Sequence, residues 1–463
     1  MKQPILKELD LPDIALAEDY AELGADLFVR RFESLREKME ERALDFLVVY
    51  ADREHAANFR YLTNFEPRFE EAILVLPAQS RPVIFLGNEN KSVADYFTRV
   101  EHEVVHFPSL SLLDQPRIAR NTFKERLMQL GAGRHTRIGV VGWKYFTQAD
   151  GAGMESAFEI PHYIVETLRS IVGDSNMENA TALLMHADHG LRSFVEPAQL
   201  AEYEYAASLA SGSILTILDK VEPGQTELTL ARHFETRGVP ASCHPMLSVK
   251  EKARLGLPSP STQRIDRGDF LTVALGLRGA LSSRAAYVAS SQDDIPLNCR
   301  TWAQEVVHPY MAAAYTWIKH LKVGITGDEI YQAVEKVYPR NRHGWHLNPG
   351  HLIADDEWVS SPIYEGSSIR IKSGSYMQLD IIPGPAKPWF GANIEDGYYV
   401  ADSSLRQQLA ANHPALYERM LRRRNYMIQK LGYSLSDDLL PVSPSCGYYR
   451  PYLLDRRKAF VFE

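Results

Sequence analysis

The fold is decided by residues 343–397, HGWHLNPGHLIADDEWVSSPIYEGSSIRIKSGSYMQLDIIPGPAKPWFGANIEDG. Within it Met377, Leu379 and Ile381 alternate with Gln378 and Asp380. A period of two marks a strand with two unlike faces, so Asp380 points away from Leu379. Ile394–Val400 reads as the next strand and carries Glu395 near its start. His351 precedes both, in Pro349-Gly350-His351. Two carboxylates on adjacent strands with a histidine nearby make a candidate acid–base or metal-ligating cleft. The competing reading is that Asp380 and Glu395 are ordinary solvated strand residues, and spacing alone leaves both open.

Upstream of this stretch one local device occurs twice. A helix opened by Pro197 runs to about Lys220 with Leu200, Tyr203, Ala207, Ala210, Ile214, Ile217 and Leu218 as its apolar stripe. Proline suits a first helical turn because its missing N–H has no intrahelical partner there. The helix stops at Val221-Glu222-Pro223-Gly224, and Thr226 is placed to cap the next one. About one hundred residues later a helix over 301–322 stops at Gly324, and Thr326 is placed to cap a helix reaching Val337. Each half then enters strand-like sequence, which predicts an internally duplicated α+β domain.

Ahead of that domain, Phe28, Phe32, Leu35 and Met39 recur at helical spacing. Strand-like runs follow at Phe46–Tyr50, Ala72–Leu76, Val83–Leu86, Val104–Phe107 and Ile138–Gly142. Strands alternating with helices predict a compact α/β unit. The expected organisation is an irregular arm over 1–27, a first domain over 28–180, a second over 190–430, and a packing arm over 431–463. Residues 170–190 lose periodicity and are read as the boundary.

The chain has 463 residues, 51 basic against 59 acidic side chains and a net charge of −8. No long basic run occurs, so no nucleic-acid partner or anionic membrane surface is expected. No apolar stretch approaches the roughly 18 residues of a membrane span, and the acidic N-terminal stretch lacks a signal-peptide core. The three cysteines, Cys243, Cys299 and Cys446, are far apart without CxxC spacing, which argues against a disulfide framework or thiolate zinc site. A cytoplasmic protein is expected.

Several pieces together resemble the pita-bread family of creatinase, aminopeptidase P, prolidase and methionine aminopeptidase. They are RFESLREKMEERALDFLVVY (31–50), NFRYLTNF (58–65), VEPGQTELTLA (221–231), IDRGDFLTVALG (265–276), PGH (349–351), QLDIIPG (378–384) and NIEDGYYV (393–400). The resemblance spans about residues 28–430 and implies an α+β fold: a creatinase-type N-terminal α/β domain before a pseudo-symmetric C-terminal pita-bread domain. Metal-dependent members hold two divalent ions with two Asp, one His and two Glu. Carried over, the His falls on His351, the first Glu on Asp380 and the last Glu on Glu395. The first Asp falls on Ala274, which ligates nothing. The second falls on Arg284 if the preceding loop is shortened by two residues, with Ser283 as the alternative occupant.

A two-metal peptidase is therefore not expected. The resemblance implies a hydrolase of a C–N bond in a small amide, guanidino or peptide-like substrate, acting without metal, with His351, Asp380 and Glu395 as catalytic groups. The alternative cofactor is one divalent ion on those same three residues. Arg284 is expected either to anchor a substrate carboxylate bidentately or to form a salt-bridged cluster with Asp380 and Glu395. Trp358, where the family has a substrate-facing histidine, is expected to wall the pocket together with Trp345. A second substrate-facing histidine falls near Leu257, and His244 is its nearest replacement and a candidate substrate contact. An inactive binding protein of the same fold is the competing class. Longer members of the family are usually homodimers, and the loop Asp52-Arg53-Glu54-His55 is a candidate for reaching a partner's pocket.

Overall fold

The computed structural model describes residues 2–13, 15, 17, 22–117 and 122–463, so part of the arm read over 1–27 lies outside the described residues. The chain forms two compact units: residues 22–192, and residues 193–463 together with 1–21. Strand β1 (Pro4–Glu8) belongs to the second unit, where the sequence suggested only an irregular arm.

The first unit holds β2 (Phe46–Ala51), β3 (Ala72–Pro77), β4 (Val83–Leu86), β5 (Glu103–His106), β6 (Ile138–Val141) and β7 (Met177–Asn179). They form one mixed sheet in the order β5-β4-β3-β2-β6-β7. β2, β3 and β4 are buried along their whole length. Strands covered on both faces need no polar alternation, which is why these runs are continuously apolar. Helix Ala25–Glu41 buries Phe28, Phe32, Leu35 and Met39. β7 has three residues, too few to show a period, and it pairs in parallel with β6. Residues 170–190 therefore close the first unit rather than link it onward.

The second unit adds β8 (Met246–Val249), β9 (Phe270–Leu277), β10 (Ala280–Tyr287), β11 (His351–Leu352), β12 (Tyr376–Leu379), β13 (Asn393–Val400), β14 (Leu439–Pro441) and β15 (Lys458–Phe462). Its main sheet runs β11-β12-β13-β10-β9-β8, with β14 also on β13. Helix Pro197–Lys220 lies against β9 and β10, and helix His308–His320 against β12. The single helix expected over 301–322 opens instead with a π-helical turn, Ala303–Val307. Pro309 has no N–H to give residue 305, so a regular α-helix cannot pass through this point unbroken. Residues 441–450 are buried throughout, and β15 pairs antiparallel with β1.

The duplication read from the sequence is present down to individual hydrogen bonds. Gly224 N donates to Ile265 O and Gly324 N to Ile371 O, each at 2.8 Å. Arg264 Nη1 returns to Gly224 O at 3.0 Å, and Arg370 Nη1 to Gly324 O at 2.7 Å. Thr226 and Thr326 each cap the following helix. Both stop glycines have positive φ, +95° and +85°, in the turns that follow these helices, a backbone that residues with a Cβ rarely adopt. Arg264-Ile265 thus corresponds to Arg370-Ile371, and β8, β9 and β10 correspond to β11, β12 and β13.

The β9–β10 turn is fixed by packing on the long helix. Gly279 has φ +88°, and a Cβ there would lie 1.9 Å from Tyr203 Cδ1. Both backbone strain and overlap with a buried ring oppose any side chain at this position. Gly279→Ala is expected to lower unfolding stability by at least about 2 kcal/mol, as measured by denaturant titration.

Candidate active site

Cross-strand register assembles the site. Ser283 of β10 faces Glu395 of β13 on one side and Ala274 of β9 on the other. Directly opposed residues share a face, so Ala274, Ser283 and Glu395 form one row. On the other flank Leu379 pairs with Asp396, so Asp380, one residue beyond β12, falls in register with Glu395. His351 pairs with Gln378, two residues before Asp380 and on the same face.

One ligating atom each from His351, Asp380 and Glu395 comes to within 4.8 Å of the other two. All three residues are buried. His351 Nδ1 donates to Leu352 O at 3.2 Å, a carbonyl being able only to accept, and this turns Nε2 toward the carboxylates. Nε2 lies 3.2 Å from Glu357 Oε1 and 3.8 Å from Asp380 Oδ2. Neither contact is aligned as a hydrogen bond, and Asp380 Oδ1 is likewise unpartnered. Glu395 is steadied by Asn393, whose Nδ2 is 3.5 Å from its Oε2 and 3.0 Å from Ser283 Oγ.

Burial pushes the Glu395 carboxyl well above the usual carboxylate range, and Asp380 and Glu357 push it further. Burial also raises Asp380, with the His351 ring opposing and Glu357 reinforcing the shift. Burial alone would depress the His351 imidazole, but the Glu357 and Asp380 carboxylates outweigh it and lift it above its ordinary value. The cluster thus holds more negative charge than its own residues neutralise, and a proton or a cation is needed to balance it.

Of the other residues expected at the site, Trp358 is in place. Its ring stacks on His351 with centroids 4.1 Å apart and planes 19° apart. Arg284 is not. It alternates with Ser283 and so points to the opposite face, where its Nη2 meets Asp396 Oδ2 at 2.8 Å and Ser445 O at 2.7 Å. Its Nε donates to Tyr448 O at 2.8 Å and its Nη1 to Ser283 O at 2.7 Å. It therefore neither anchors a substrate nor bridges Asp380 and Glu395, and Ser283 stands in the second family Asp position. His244 is exposed, with Nε2 2.7 Å from Leu257 O, and touches none of the cluster. Its neighbour Cys243 is the residue that feels the site: burial, then Glu357 and Glu395, push its thiol up to about 12. Trp345 is core, its Nε1 bonded to Tyr338 O at 2.7 Å. In the first unit the His55 Nδ1 of the Asp52–His55 loop lies 3.2 Å from Asp52 Oδ2.

Sequence reading missed Glu357, which faces His351 from a loop, and Asp396, which pairs with Arg284. The acidic run Asp355-Asp356-Glu357 was the visible signal for the first. Alternation after Glu395 was the signal for the second.

Comparison with known proteins agrees with this architecture. Residues 31–186 match the creatinase/prolidase N-terminal domain model, and residues 201–402 match metallopeptidase family M24. The chain belongs to the pita-bread family of creatinase and aminopeptidase P. Among solved structures, the Xaa-Pro dipeptidase from Bacillus anthracis aligns over 81% of this chain and 96% of its own, with TM-score 0.61 and 17% identity. The prolidase from Pyrococcus furiosus aligns over 79% and 96%, with TM-score 0.59 and 16% identity. At these identities the likeness shows the shared fold. No curated protein matches the sequence. Among the described residues no helix is long and apolar enough to cross a membrane.

The two-ion centre implied by the family does not fit these residues. By the internal symmetry Ala274 corresponds to Asp380 and Ser283 to Glu395, so one half of the site offers a methyl group and a hydroxyl where the other offers two carboxylates. The surviving half fits a single divalent ion. Its donors are an imidazole nitrogen and two carboxylates, a three-ligand set that leaves a position open; Asp380 Oδ1 has no hydrogen-bond partner, and the contacts of His351 Nε2 to Glu357 and Asp380 are not aligned as hydrogen bonds.

The raised carboxyls set a pH dependence. A carboxyl whose folded pKa exceeds its unfolded value binds protons more tightly when folded, so its contribution to stability falls as pH rises above the ordinary range of about 4. His343 and His308, depressed by burial, act in the opposite sense, so the test is a difference. In chelator, Asp380→Asn/Glu395→Gln is expected to gain melting temperature relative to the parent chain as pH rises from about 5.5 to 8. Differential scanning calorimetry of the two proteins measures this.

Proposed function

We propose that this chain is a hydrolase of a C–N bond in a small amide or peptide-like substrate, worked by His351, Asp380 and Glu395 with at most one divalent ion. The carrying observation is that Asp380 Oδ1, buried and without a hydrogen-bond partner, and His351 Nε2, whose contacts to Glu357 and Asp380 are not aligned as hydrogen bonds, converge with Glu395 in one place. Buried polar atoms are otherwise nearly always paired, so an unpaired set of this kind is what a ligand or substrate would satisfy. A bound ion would act as Lewis acid on the scissile carbonyl.

The residues divide the remaining work. The bond from Nδ1 to Leu352 O fixes the His351 ring, and Trp358 covers one of its faces against water. In the ion-free state Nε2 can carry a proton between water and the leaving nitrogen, whereas with an ion bound the same nitrogen is a ligand and carries none. In that ion-free state Asp380, raised by burial, is the second proton holder, and Glu395 is oriented by Asn393 in either state. Metal-free hydrolysis, the expectation from sequence, would use the same three groups with protons balancing the charge. The convergence of unpartnered donors favours the ion.

The test is turnover of a panel of Xaa-Pro dipeptides, simple amides and guanidino compounds with Mn²⁺, Co²⁺, Zn²⁺ or chelator. His351→Ala and Asp380→Ala should each lower turnover of whichever compound is cleaved by at least about 100-fold. Unchanged turnover in both variants, or no turnover of any compound under any condition, would contradict the proposal.

A further inference from the structure

A chain of buried hydrogen bonds ends in the row of site residues. Ile394 N donates to Tyr310 OH at 2.9 Å, Tyr310 OH to Asn393 Oδ1 at 3.5 Å, and Asn393 Nδ2 to Ser283 Oγ at 3.0 Å. All four residues are buried. A backbone N–H can only donate, so the direction of every later bond is set from that end. The tyrosine hydroxyl accepts and passes its own hydrogen on. The carboxamide accepts at oxygen and donates from nitrogen. The Ser283 hydroxyl, having accepted, is left with a hydrogen to give, and donors linked in this way polarise one another.

That hydrogen has no acceptor in the protein. Among the described residues the only bond of Ser283 Oγ is the one it accepts from Asn393. Ser283 shares its face with Ala274 on one side and Glu395 on the other. The Ala274 methyl accepts nothing, and the Glu395 carboxyl is met by Asn393 Nδ2 instead. What remains is the cleft above the row, on the face that also carries the unpartnered Asp380 Oδ1. Buried donors nearly always find an acceptor, so an unspent one here marks the place of a ligand's oxygen. A carboxylate at this position would repel negative charge on that oxygen, whereas a hydroxyl attracts it.

We propose that the Ser283 hydroxyl is a catalytic donor to the carbonyl oxygen of the scissile amide, with Asn393 and Tyr310 as its positioning residues. As water oxygen bonds to the carbonyl carbon, the π pair of the C=O bond moves onto oxygen and the water's proton passes to the carboxylate cluster. Ser283 keeps its own proton throughout and holds the charged oxygen by a hydrogen bond.

This rests on the hydrolase reading above, and the test separates the two. Turnover of the same panel of dipeptides, amides and guanidino compounds is measured for the parent chain, Ser283→Ala, Ser283→Thr and His351→Ala, each checked for folding by its melting temperature. Threonine keeps the hydroxyl and sets its added methyl on a strand that suits a β-branched residue. For a compound that is cleaved, Ser283→Ala is expected to lower kcat about 100-fold with KM within about 3-fold of the parent, because the bond strengthens as charge develops. Mn²⁺ uptake should match the parent's, and Ser283→Thr should keep kcat within about 10-fold. Parent-like kcat in Ser283→Ala, while His351→Ala is inactive, would overturn the role of Ser283 and leave the hydrolase standing. An equal loss in Ser283→Thr, or a loss confined to KM, would do the same. No turnover of any compound by the parent chain would overturn both.

Discussion

The buried pair of Arg284 and Asp396 is the constraint on which the site depends. Both side chains are almost completely inaccessible, and a buried ion pair is tolerable only when every remaining donor and acceptor is satisfied. Here Asp396 also accepts Ser445 Oγ at 2.6 Å and Gly447 N at 3.3 Å, and Arg284 spends its other donors on backbone carbonyls. Removing either partner would strand a buried charge, at about 3–5 kcal/mol. The pair ties β10 to β13 from behind. Because neighbouring residues face opposite ways, locking Arg284 and Asp396 on the back face sets Ser283 and Glu395 side by side on the front. Residues 443–450 provide most of the satisfying groups, so the C-terminal segment is part of the wall behind the site.

On the front face the two halves of the duplicated domain have parted company. Asp380 and Glu395 have Ala274 and Ser283 as their symmetry mates, and His351, by the same correspondence, has Ser248. Charge is thereby concentrated in one half, and among the described residues no lysine or arginine offsets it. Close, buried carboxylates hold their protons to higher pH or hold a cation, and that single electrostatic fact links the raised carboxyls, the unpartnered atoms and the donor set.

Much of this was legible in the sequence, for identifiable reasons. Continuous apolar runs gave the strands of the first unit, and Gly224-x-Thr226 with Gly324-x-Thr326 gave the duplication. His351, Asp380 and Glu395 stood out because turn chemistry and strand alternation fix their registers. The choice between Ser283 and Arg284 did not, because a slip of one residue in a strand exchanges its faces, and the loop before β10 allowed either. Glu357 was hidden because a loop contact has no period to reveal it. β1 was hidden because its partner, β15, lies at the other end of the chain. The π-helical turn before His308 was readable in principle, since Pro309 cannot donate to residue 305.

The carboxylates missing at Ala274 and Ser283 are what separate this site from a two-ion centre. The most direct measurement is the number of ions per chain, by mass spectrometry after equilibration with Mn²⁺ and gel filtration, for the parent chain and for Ala274→Asp/Ser283→Asp. The parent chain is expected to hold no more than one ion and the double variant two. Two ions in the parent chain would contradict it, and so would a double variant that folds but binds no more than its parent.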